Sequence, residues 1–262
     1  MTSRSRASLV RGLARRKIRE REGLFLAEGV RVVEDLLDSR FVPRFALVAS
    51  SLEDTPRGRS LVERLAGKCE VERVSDAELA SLAETETTQG VLVAAEIPRR
   101  TLDSLEPGPR DVVLLLDAVQ DPGNAGTLVR TADALGCAAV LTLPGTVDAW
   151  NPKVVRSAAG SLFRLPVIES DAESVAGWAA ARDARIVAGD MDGSPVDSVE
   201  LRGPVVVIVG NEGAGLGADA RRIASTLVSV PIRGSAESLN VGVAAGILLY
   251  EITRRLATGS RG

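Results

Sequence analysis

The sequence has no histidine among its 262 residues, and it contains only two cysteines. The missing histidine excludes serine–histidine and cysteine–histidine nucleophile pairs, together with every zinc site that uses histidine ligands. Acid–base chemistry must therefore come from carboxylates, lysine, arginine, tyrosine or the substrate itself. Cys69 and Cys137 have no neighbouring thiol, so we expect two small buried hydrophobic residues rather than a disulfide.

Long apolar runs are also missing from the chain. None reaches the roughly 18 residues needed to span a bilayer, and the N-terminal segment has arginines without the apolar core of a signal peptide. The composition, 45% hydrophobic and 26% charged, excludes a disordered or fibrous chain. We therefore expect a cytoplasmic globular protein, and its length favours two domains of ordinary size over one large core.

The net charge of -3 conceals an uneven distribution. Between residues 4 and 22, eight lysines and arginines are opposed only by Glu20 and Glu22. Such a cluster is typical either of a surface that attracts nucleic acid or of a solvated helix face. Charge alone does not decide between these two readings.

Helical and apolar segments alternate in residues 1–97, which predicts a small α/β domain. Residues 98–110 contain three prolines and a glycine, the composition of a linker, and we place the domain boundary there. The predicted elements of the first domain are an amphipathic helix at 5–19, strands at 24–27, 45–48, 69–74 and 91–94, and helices at 30–37, 58–66 and 76–83.

Residues 111–262 contain continuous apolar runs, which are typical of parallel strands buried on both faces. The final helix is apolar around much of its surface, as expected for a core or an interface. The predicted elements are strands at 112–116, 138–143, 185–188 and 205–209, and helices at 126–135, 153–159, 171–181 and 238–256.

Two segments rich in small and polar residues follow apolar strands, where a parallel α/β sheet binds its ligands. One spans residues 117–130, and the other contains Gly210, Gly213 and Gly215. Three glycines in six residues permit positive φ angles and a close approach of backbone to ligand, whereas a structural turn explains one or two. The Gly-x-Gly-x-x-Gly and P-loop spacings are not met, which disfavours nicotinamide enzymes, Rossmann-type methyltransferases and P-loop nucleotidases.

Three segments in order resemble the signature motifs of the SpoU/TrmH branch of the SPOUT RNA methyltransferases. They are Asn124 with Gly126 and Arg130, residues 210–216, and residues 231–241. Residues 151–157 and 163–167 are similar to the region that connects these motifs, so the resemblance covers about 117–255. It implies a trefoil-knotted parallel-sheet methyltransferase domain over 111–262, preceded by a smaller α/β RNA-binding domain over 1–97.

The resemblance implies transfer of a methyl group from S-adenosylmethionine to a ribose 2′-hydroxyl of RNA, with 23S ribosomal RNA favoured. Transfer RNA is the alternative substrate, and a non-catalytic RNA-binding protein of the same fold is the alternative function. By resemblance the protein is a homodimer through its C-terminal domain, and it needs neither a membrane nor a metal.

The same resemblance assigns residues to three roles. Arg130 would stabilise the forming alkoxide, with deprotonation secondary, because a guanidinium with a pKa above about 12 is a poor base. Glu212 would hold Arg130. Asn124 and Ser238 could instead be helix caps, whereas Asn240 inside an apolar helix needs a partner. The assigned residues are catalytic Arg130, Asn124, Glu212, Ser238 and Asn240, cofactor-binding Gly210, Val230, Ile232 and Leu239, and RNA-binding Arg15, Arg16, Lys17 and Arg19.

Overall fold

A computed structural model describes residues 3–85 and 87–258. The chain divides into two compact units, one formed by Met1–Arg99 with Asp148–Arg164, the other by Arg100–Val147 with Leu165–Gly262. The chain leaves the first unit at the start of the predicted linker. Residues 148–164, which we expected in the C-terminal domain, group with the first unit instead.

The first unit contains a four-stranded sheet in the order β1-β4-β2-β3, in which only the β2–β3 pair is parallel. One face of the sheet packs on a core that includes Leu13, Leu26 and Leu92. The elements up to this sheet's last strand are α1 (Ser3–Leu13), α2 (Arg16–Glu22), β1 (Leu24–Glu28), α3 (Val30–Leu37), β2 (Pro43–Ala49), α4 (Pro56–Ala66), β3 (Glu70–Val74), α5 (Asp76–Ala80) and β4 (Val91–Glu96), with a 3₁₀ turn at Ser50–Asp54.

The single helix predicted over residues 5–19 is wrong, because the chain breaks between α1 and α2. Arg15 has extended backbone angles, φ -99° and ψ 128°. The break lets the Arg19 guanidinium reach the Leu13 carbonyl at the end of α1, with Nη1 donating at 2.7 Å. Carbonyls in the last turn of a helix have no partner within the helix, so the arginine supplies one.

The second unit contains a six-stranded parallel sheet in the order β10-β8-β9-β5-β6-β7. Its central strands β5 and β9 are buried throughout, as their continuous runs of Val, Leu and Ile predict. The remaining elements are β5 (Val112–Leu116), α6 (Pro122–Ala134), β6 (Ala139–Thr142), α7 (Pro152–Ser157, in the first unit), β7 (Val167–Glu169), α8 (Ala172–Ala181), β8 (Arg185–Pro195), β9 (Val205–Val209), α9 (Ala218–Ile223), β10 (Thr226–Ser229) and α10 (Val241–Thr258), with 3₁₀ turns at Leu102–Ser104 and Ser161–Phe163.

Phe25 on β1 points to the opposite face from Leu26, because successive strand residues alternate. There it meets Trp150 with ring centroids 4.8 Å apart, while Phe41 meets Phe163 at 5.3 Å. Two of these four aromatic side chains come from residues 148–164. This aromatic cluster, Phe25, Phe41, Trp150 and Phe163, explains why that segment belongs to the first unit.

The predicted linker is packed rather than free. Leu105 is buried in the core of the second unit, and its carbonyl accepts a hydrogen bond from Trp178 Nε1 at 3.1 Å. Cys137 is buried and Cys69 half-buried, and burial raises the pKa of these thiols to about 12 and about 11. Both values keep the thiols protonated. Cys137 confirms the expected small buried hydrophobic residue, whereas Cys69 is only partly buried.

Within residues 3–85 and 87–258, no helix combines the length and apolar character that a bilayer crossing requires. No group of three or more His, Cys, Asp or Glu residues there could hold a metal ion.

Candidate active site

Two motif loops meet at the carboxyl edge of the parallel sheet because β5 and β9 are neighbours. Leu116 pairs with Val209 at the end of the two strands, and the Asp117 amide donates to the Val209 carbonyl at 2.9 Å. The loop after β5 leads into α6, which contains Asn124 and Arg130. The loop after β9 carries the glycines. The fold thus brings two segments about 90 residues apart to one edge.

The glycine loop, residues 210–216, closes on itself through main-chain hydrogen bonds. The Asn211 amide donates to the Gly215 carbonyl at 2.9 Å, and the Gly215 amide donates back at 3.0 Å. A Cβ on Gly210 would lie 2.4 Å from the Gly215 carbonyl oxygen, and Gly215 has a φ of +69°. Both positions therefore require glycine, the first for space and the second for conformation.

Two residues outside the predicted set fix this loop. Asn211 Oδ1 accepts from the amides of Gly213 and Ala214 at 2.9 Å each, while its Nδ2 donates to the Ala118 carbonyl at 2.8 Å. The buried Asp117 carboxylate accepts from the Gly217 amide at 2.6 Å. Sequence reasoning missed both because their partners are main-chain atoms. The available signal was their position in the two small and polar segments that follow apolar strands.

Three predicted catalytic residues form one hydrogen-bonded chain. Asn240 Nδ2 donates to Asn124 Oδ1 at 3.2 Å, and Asn124 Nδ2 donates to Glu212 Oε1 at 2.9 Å. The side chain of Asn124 is available for this role because Asp121 caps α6, accepting from the Asn124 amide at 2.7 Å. This Asn240–Asn124–Glu212 chain links all three motifs.

The expected position of Asn240 inside the last helix is wrong. The helix begins at Val241, and Asn240 precedes it, with Oδ1 accepting from the Gly242 amide at 2.9 Å. It therefore acts as a cap while its amide group reaches Asn124. Ser238 is exposed and caps no helix among the described residues.

Close packing of α10 on α6 sets the distance between Asn240 and Asn124. A Cβ on Gly242 would lie 3.3 Å from Thr127 Cγ2, and one on Gly246 would lie 3.6 Å from Thr131 Cγ2. Residues four apart lie on the same helix face, so small residues on one helix face threonines on the other. A larger residue at 242 would push the helices apart and lengthen the Asn240–Asn124 bond.

Arg130 lies on α6, six residues beyond Asn124, and is exposed. The predicted hydrogen bond between Glu212 and Arg130 is not formed in the part of the chain that the structure describes. Glu212 Oε1 accepts from Asn124 instead. The Arg130 guanidinium is thus left facing solvent, where an RNA substrate could approach it.

A pocket of about 400 Å³ opens beside the glycine loop. Ligand pockets for small molecules are typically about 300 to 1,000 Å³, with mostly apolar walls and a few polar groups. Val209, Val228 and Leu248 add apolar surface, and Asp190, Arg221 and Ser229 add polar groups. The lining includes all four predicted cofactor-binding residues, Gly210, Val230, Ile232 and Leu239, and two predicted catalytic residues, Glu212 and Ser238.

The sequence of this pocket-bearing region matches a known family. Residues 111–250 match the SpoU rRNA Methylase family, and residues 7–93 match the MRM3-like substrate binding domain. The chain belongs to the SpoU rRNA methylase family. The two matched regions leave only the segment around the predicted linker between them.

Related proteins match this SpoU methylase over nearly its full length. The 23S rRNA (guanosine(2553)-2'-O)-methyltransferase RlmP of Bacillus subtilis (strain 168) is 37% identical over 238 residues, covering 90% of this chain and 91% of the relative. The 23S rRNA (uridine(2479)-2'-O)-methyltransferase of Streptomyces viridochromogenes is 31% identical, covering 94% and 88%.

Solved structures agree with these relationships. The SpoU methyltransferase AviRb from Streptomyces viridochromogenes, in complex with the cofactor AdoMet, superposes with a TM-score of 0.90 at 30% identity, covering 98% of this chain and 99% of that one. An AdoMet-bound rRNA methyltransferase from Sinorhizobium meliloti gives 0.86 at 30% identity, covering 95% and 94%.

The basic cluster of this SpoU methylase separates into buried and exposed members. Arg15, Arg16 and Lys17 are exposed, and Arg16 pairs with Glu20 at 2.6 Å. Arg19 is buried, and its Nε donates to Asp148 Oδ2 at 2.8 Å. A phosphate could reach Arg19 only by breaking this pair. The structure therefore corrects the phosphate contact expected at Arg19, whereas the other three remain predictions.

Proposed function

We propose that this protein is an S-adenosylmethionine-dependent 2′-O-ribose methyltransferase that acts on 23S ribosomal RNA. The observation that carries the proposal is the pocket of about 400 Å³ beside the Asn240–Asn124–Glu212 chain. The proposed cofactor pocket therefore lies next to polar groups that could orient the ribose of the RNA substrate. The 23S ribosomal RNA relatives, each covering at least 90% of this chain, support the substrate class.

The residues of the pocket fit S-adenosylmethionine. Val230, Ile232 and Leu239 offer an apolar wall to an adenine ring. The glycine loop has no side chain at Gly210, Gly213 or Gly215, so its main-chain groups can approach the ligand closely. When bound, S-adenosylmethionine supplies an electrophilic methyl group on a sulfonium.

The protein's own residues would orient and stabilise the acceptor. Methyl transfer is an in-line displacement in which the oxygen–carbon bond forms as the carbon–sulfur bond breaks, and the hydroxyl proton leaves. The amides of Asn124 and Asn240 would hold the ribose of the RNA. The exposed Arg130 guanidinium would stabilise negative charge on the 2′-oxygen. Glu212 accepts from Asn124 and would fix the orientation of that amide.

The alternatives have weaker support. A match to a substrate binding domain over residues 7–93 and the 23S ribosomal RNA relatives favour ribosomal over transfer RNA. A binding-only protein would have no need to retain all five polar motif residues. Here all five are present, and hydrogen bonds connect three of them, Asn124, Glu212 and Asn240.

The homodimer is part of the same proposal. Val243, Ile247 and Tyr250 leave an exposed apolar stripe along α10, with Tyr250 58% exposed. Residues spaced by four and three share one helix face, so the stripe suits pairing with the same stripe of a second copy. The trefoil knot remains a prediction from the resemblance, and the cytoplasmic location remains a prediction from the composition of the sequence.

The test is methyl transfer from radiolabelled S-adenosylmethionine to total RNA and to ribosomal subunits, followed by nuclease digestion and nucleoside analysis. A labelled 2′-O-methyl nucleoside that disappears with Arg130→Ala is the expected result. A labelled base would overturn the ribose assignment. Absence of label from both substrates, with RNA binding intact, would favour the binding-only alternative.

A further inference from the structure

Asp190 and Arg221 form an ion pair in the wall of the pocket and have no assigned role. Arg221 Nη2 on α9 donates to Asp190 Oδ2 near the middle of β8. The Asp190 side chain is only 10% exposed. Its other oxygen, Oδ1, accepts from the Asp192 amide at 3.0 Å. A carboxylate has about four acceptor positions, so two remain for a ligand.

The order of the strands places Asp190 between the two ends of the proposed cofactor site. The sheet runs β10-β8-β9-β5. The Asn240–Asn124–Glu212 chain lies beyond β5 and β9, so the reactive sulfonium belongs there. Val230 and Ile232, which offer the apolar wall for adenine, follow β10. The part of the ligand that lies between adenine and sulfur therefore spans β8.

That intermediate part of S-adenosylmethionine is the ribose. Its two adjacent hydroxyl groups are donors, and a carboxylate can accept from both, as acidic residues do for ribose in dinucleotide sites. Neighbouring parallel strands are about 4.8 Å apart, so a ribose and its substituents can reach from β10 across β8 to β9.

We propose that Asp190 binds the ribose hydroxyls of the cofactor and that Arg221 is a positioning residue that holds the Asp190 carboxylate. This inference rests on the proposed function. A merely structural pair is the alternative, and α9 itself offers an example for comparison. Arg222 and Asp219 on the same helix pair at 3.2 Å with both side chains largely exposed, and neither lines the pocket.

The experiment measures calorimetric binding of two probes to the full chain, S-adenosylhomocysteine and its 2′-deoxyribose analogue. The unmodified protein should bind the first roughly tenfold or more tightly than the second. Asp190→Asn should weaken S-adenosylhomocysteine binding by roughly tenfold to a hundredfold, the effect of losing hydrogen bonds to a charged group. It should weaken binding of the deoxy analogue, which keeps only the 3′-hydroxyl, by a clearly smaller factor.

Arg221→Gln should reduce the ratio of the affinities for S-adenosylhomocysteine and its deoxy analogue. Arg221→Lys, which keeps the charge, should restore most of that ratio. Asp219→Asn is the matched control, because it breaks the exposed pair on the same helix, and it should alter neither affinity. Thermal unfolding of each variant checks that the fold is retained.

The outcomes separate this inference from the proposed function. Equal weakening of both probes by Asp190→Asn, or no weakening, would overturn the ribose contact while leaving the cofactor pocket in place. Failure of the unmodified protein to bind S-adenosylhomocysteine at all would overturn the cofactor pocket as well.

Discussion

Arg19 and Asp148, which are 129 residues apart in the sequence, form a buried ion pair in the first unit. The two side chains are 2% and 9% exposed. Arg19 also donates to the Leu13 carbonyl, and Asp148 Oδ1 accepts from the Trp150 amide at 2.8 Å. Both charges are thus paired and hydrogen-bonded, which is the condition under which burial is tolerated.

Asp148→Ala should destabilise the protein by about 3 to 5 kcal/mol, because it leaves the Arg19 guanidinium buried without its partner. Urea unfolding followed by circular dichroism measures the change. The control is Glu20→Ala, which breaks the exposed pair with Arg16 and should cost no more than about 1 kcal/mol. Similar costs for both variants would contradict a stabilising role for the buried pair.

Gly210→Ala should abolish binding of S-adenosylhomocysteine. The added Cβ would lie 2.4 Å from the Gly215 carbonyl oxygen, so the glycine loop would have to move. Gly213→Ala is the matched control in the same loop, since its Cβ would make ordinary contact with Asn211 Oδ1 at 3.7 Å. Calorimetry decides the question, and the prediction fails if the two variants lose affinity equally.

Asn240→Asp should separate the capping role of Asn240 from its role in methyl transfer. Aspartate keeps an oxygen acceptor for the Gly242 amide and is an equally good cap, so thermal stability should be retained. It loses the amide donor to Asn124, and methyl transfer should fall by at least tenfold. By contrast, Asn240→Ala should lower both activity and stability, the latter by about 1 kcal/mol. Retained activity in the aspartate variant would reduce Asn240 to a cap.

Replacing Arg15, Arg16 and Lys17 together by glutamine should weaken binding to 23S ribosomal RNA and flatten its salt dependence. Removing one phosphate-binding cation lowers the slope of log affinity against log salt by about 0.7 to 0.9. Filter binding over a range of salt concentrations measures both effects. Arg57→Gln with Arg64→Gln is the control, since both arginines are exposed and already paired with Glu34 and Asp38. If the triple variant behaves like this control, the cluster is a solvated helix face.

Ile247→Asp should dissociate the proposed homodimer, because it places a charge in the middle of the exposed apolar stripe of α10. Sedimentation equilibrium should show a dimer for the unmodified protein and a monomer for the variant. The control is Glu173→Gln, which changes an exposed charge on α8 and should leave the dimer intact. A monomeric unmodified protein would overturn the dimer proposal.

The central strands and the motif loops were predictable because their signals are local. The continuous runs of Val, Leu and Ile in β5 and β9 and the glycines after β9 each indicate the local conformation. Predictions failed where a distant partner decides the outcome. The burial of Arg19 depends on its pairing with Asp148, which no helical periodicity can reveal.

Short edge elements were also missed. The strands β7 and β10 have three and four residues, and α9 has six, so none is long enough to show a period. In the candidate site, motif resemblance identified Asn240, Asn124 and Glu212 but not the hydrogen bonds that connect them, and it assigned no role to Asp117 or Asn211. Their function is to bond main-chain atoms, a role for which many polar residues would give the same sequence pattern.

The grouping of residues 148–164 with the first unit limits how the protein can be divided. A cut in the predicted linker would yield one fragment lacking Trp150 and Phe163 and another carrying them without Phe25 and Phe41. Each fragment would expose apolar aromatic surface, which favours aggregation. The two regions that match separate families are therefore not interchangeable modules: a chimera that exchanges the N-terminal domain between relatives would need to carry this internal segment with it.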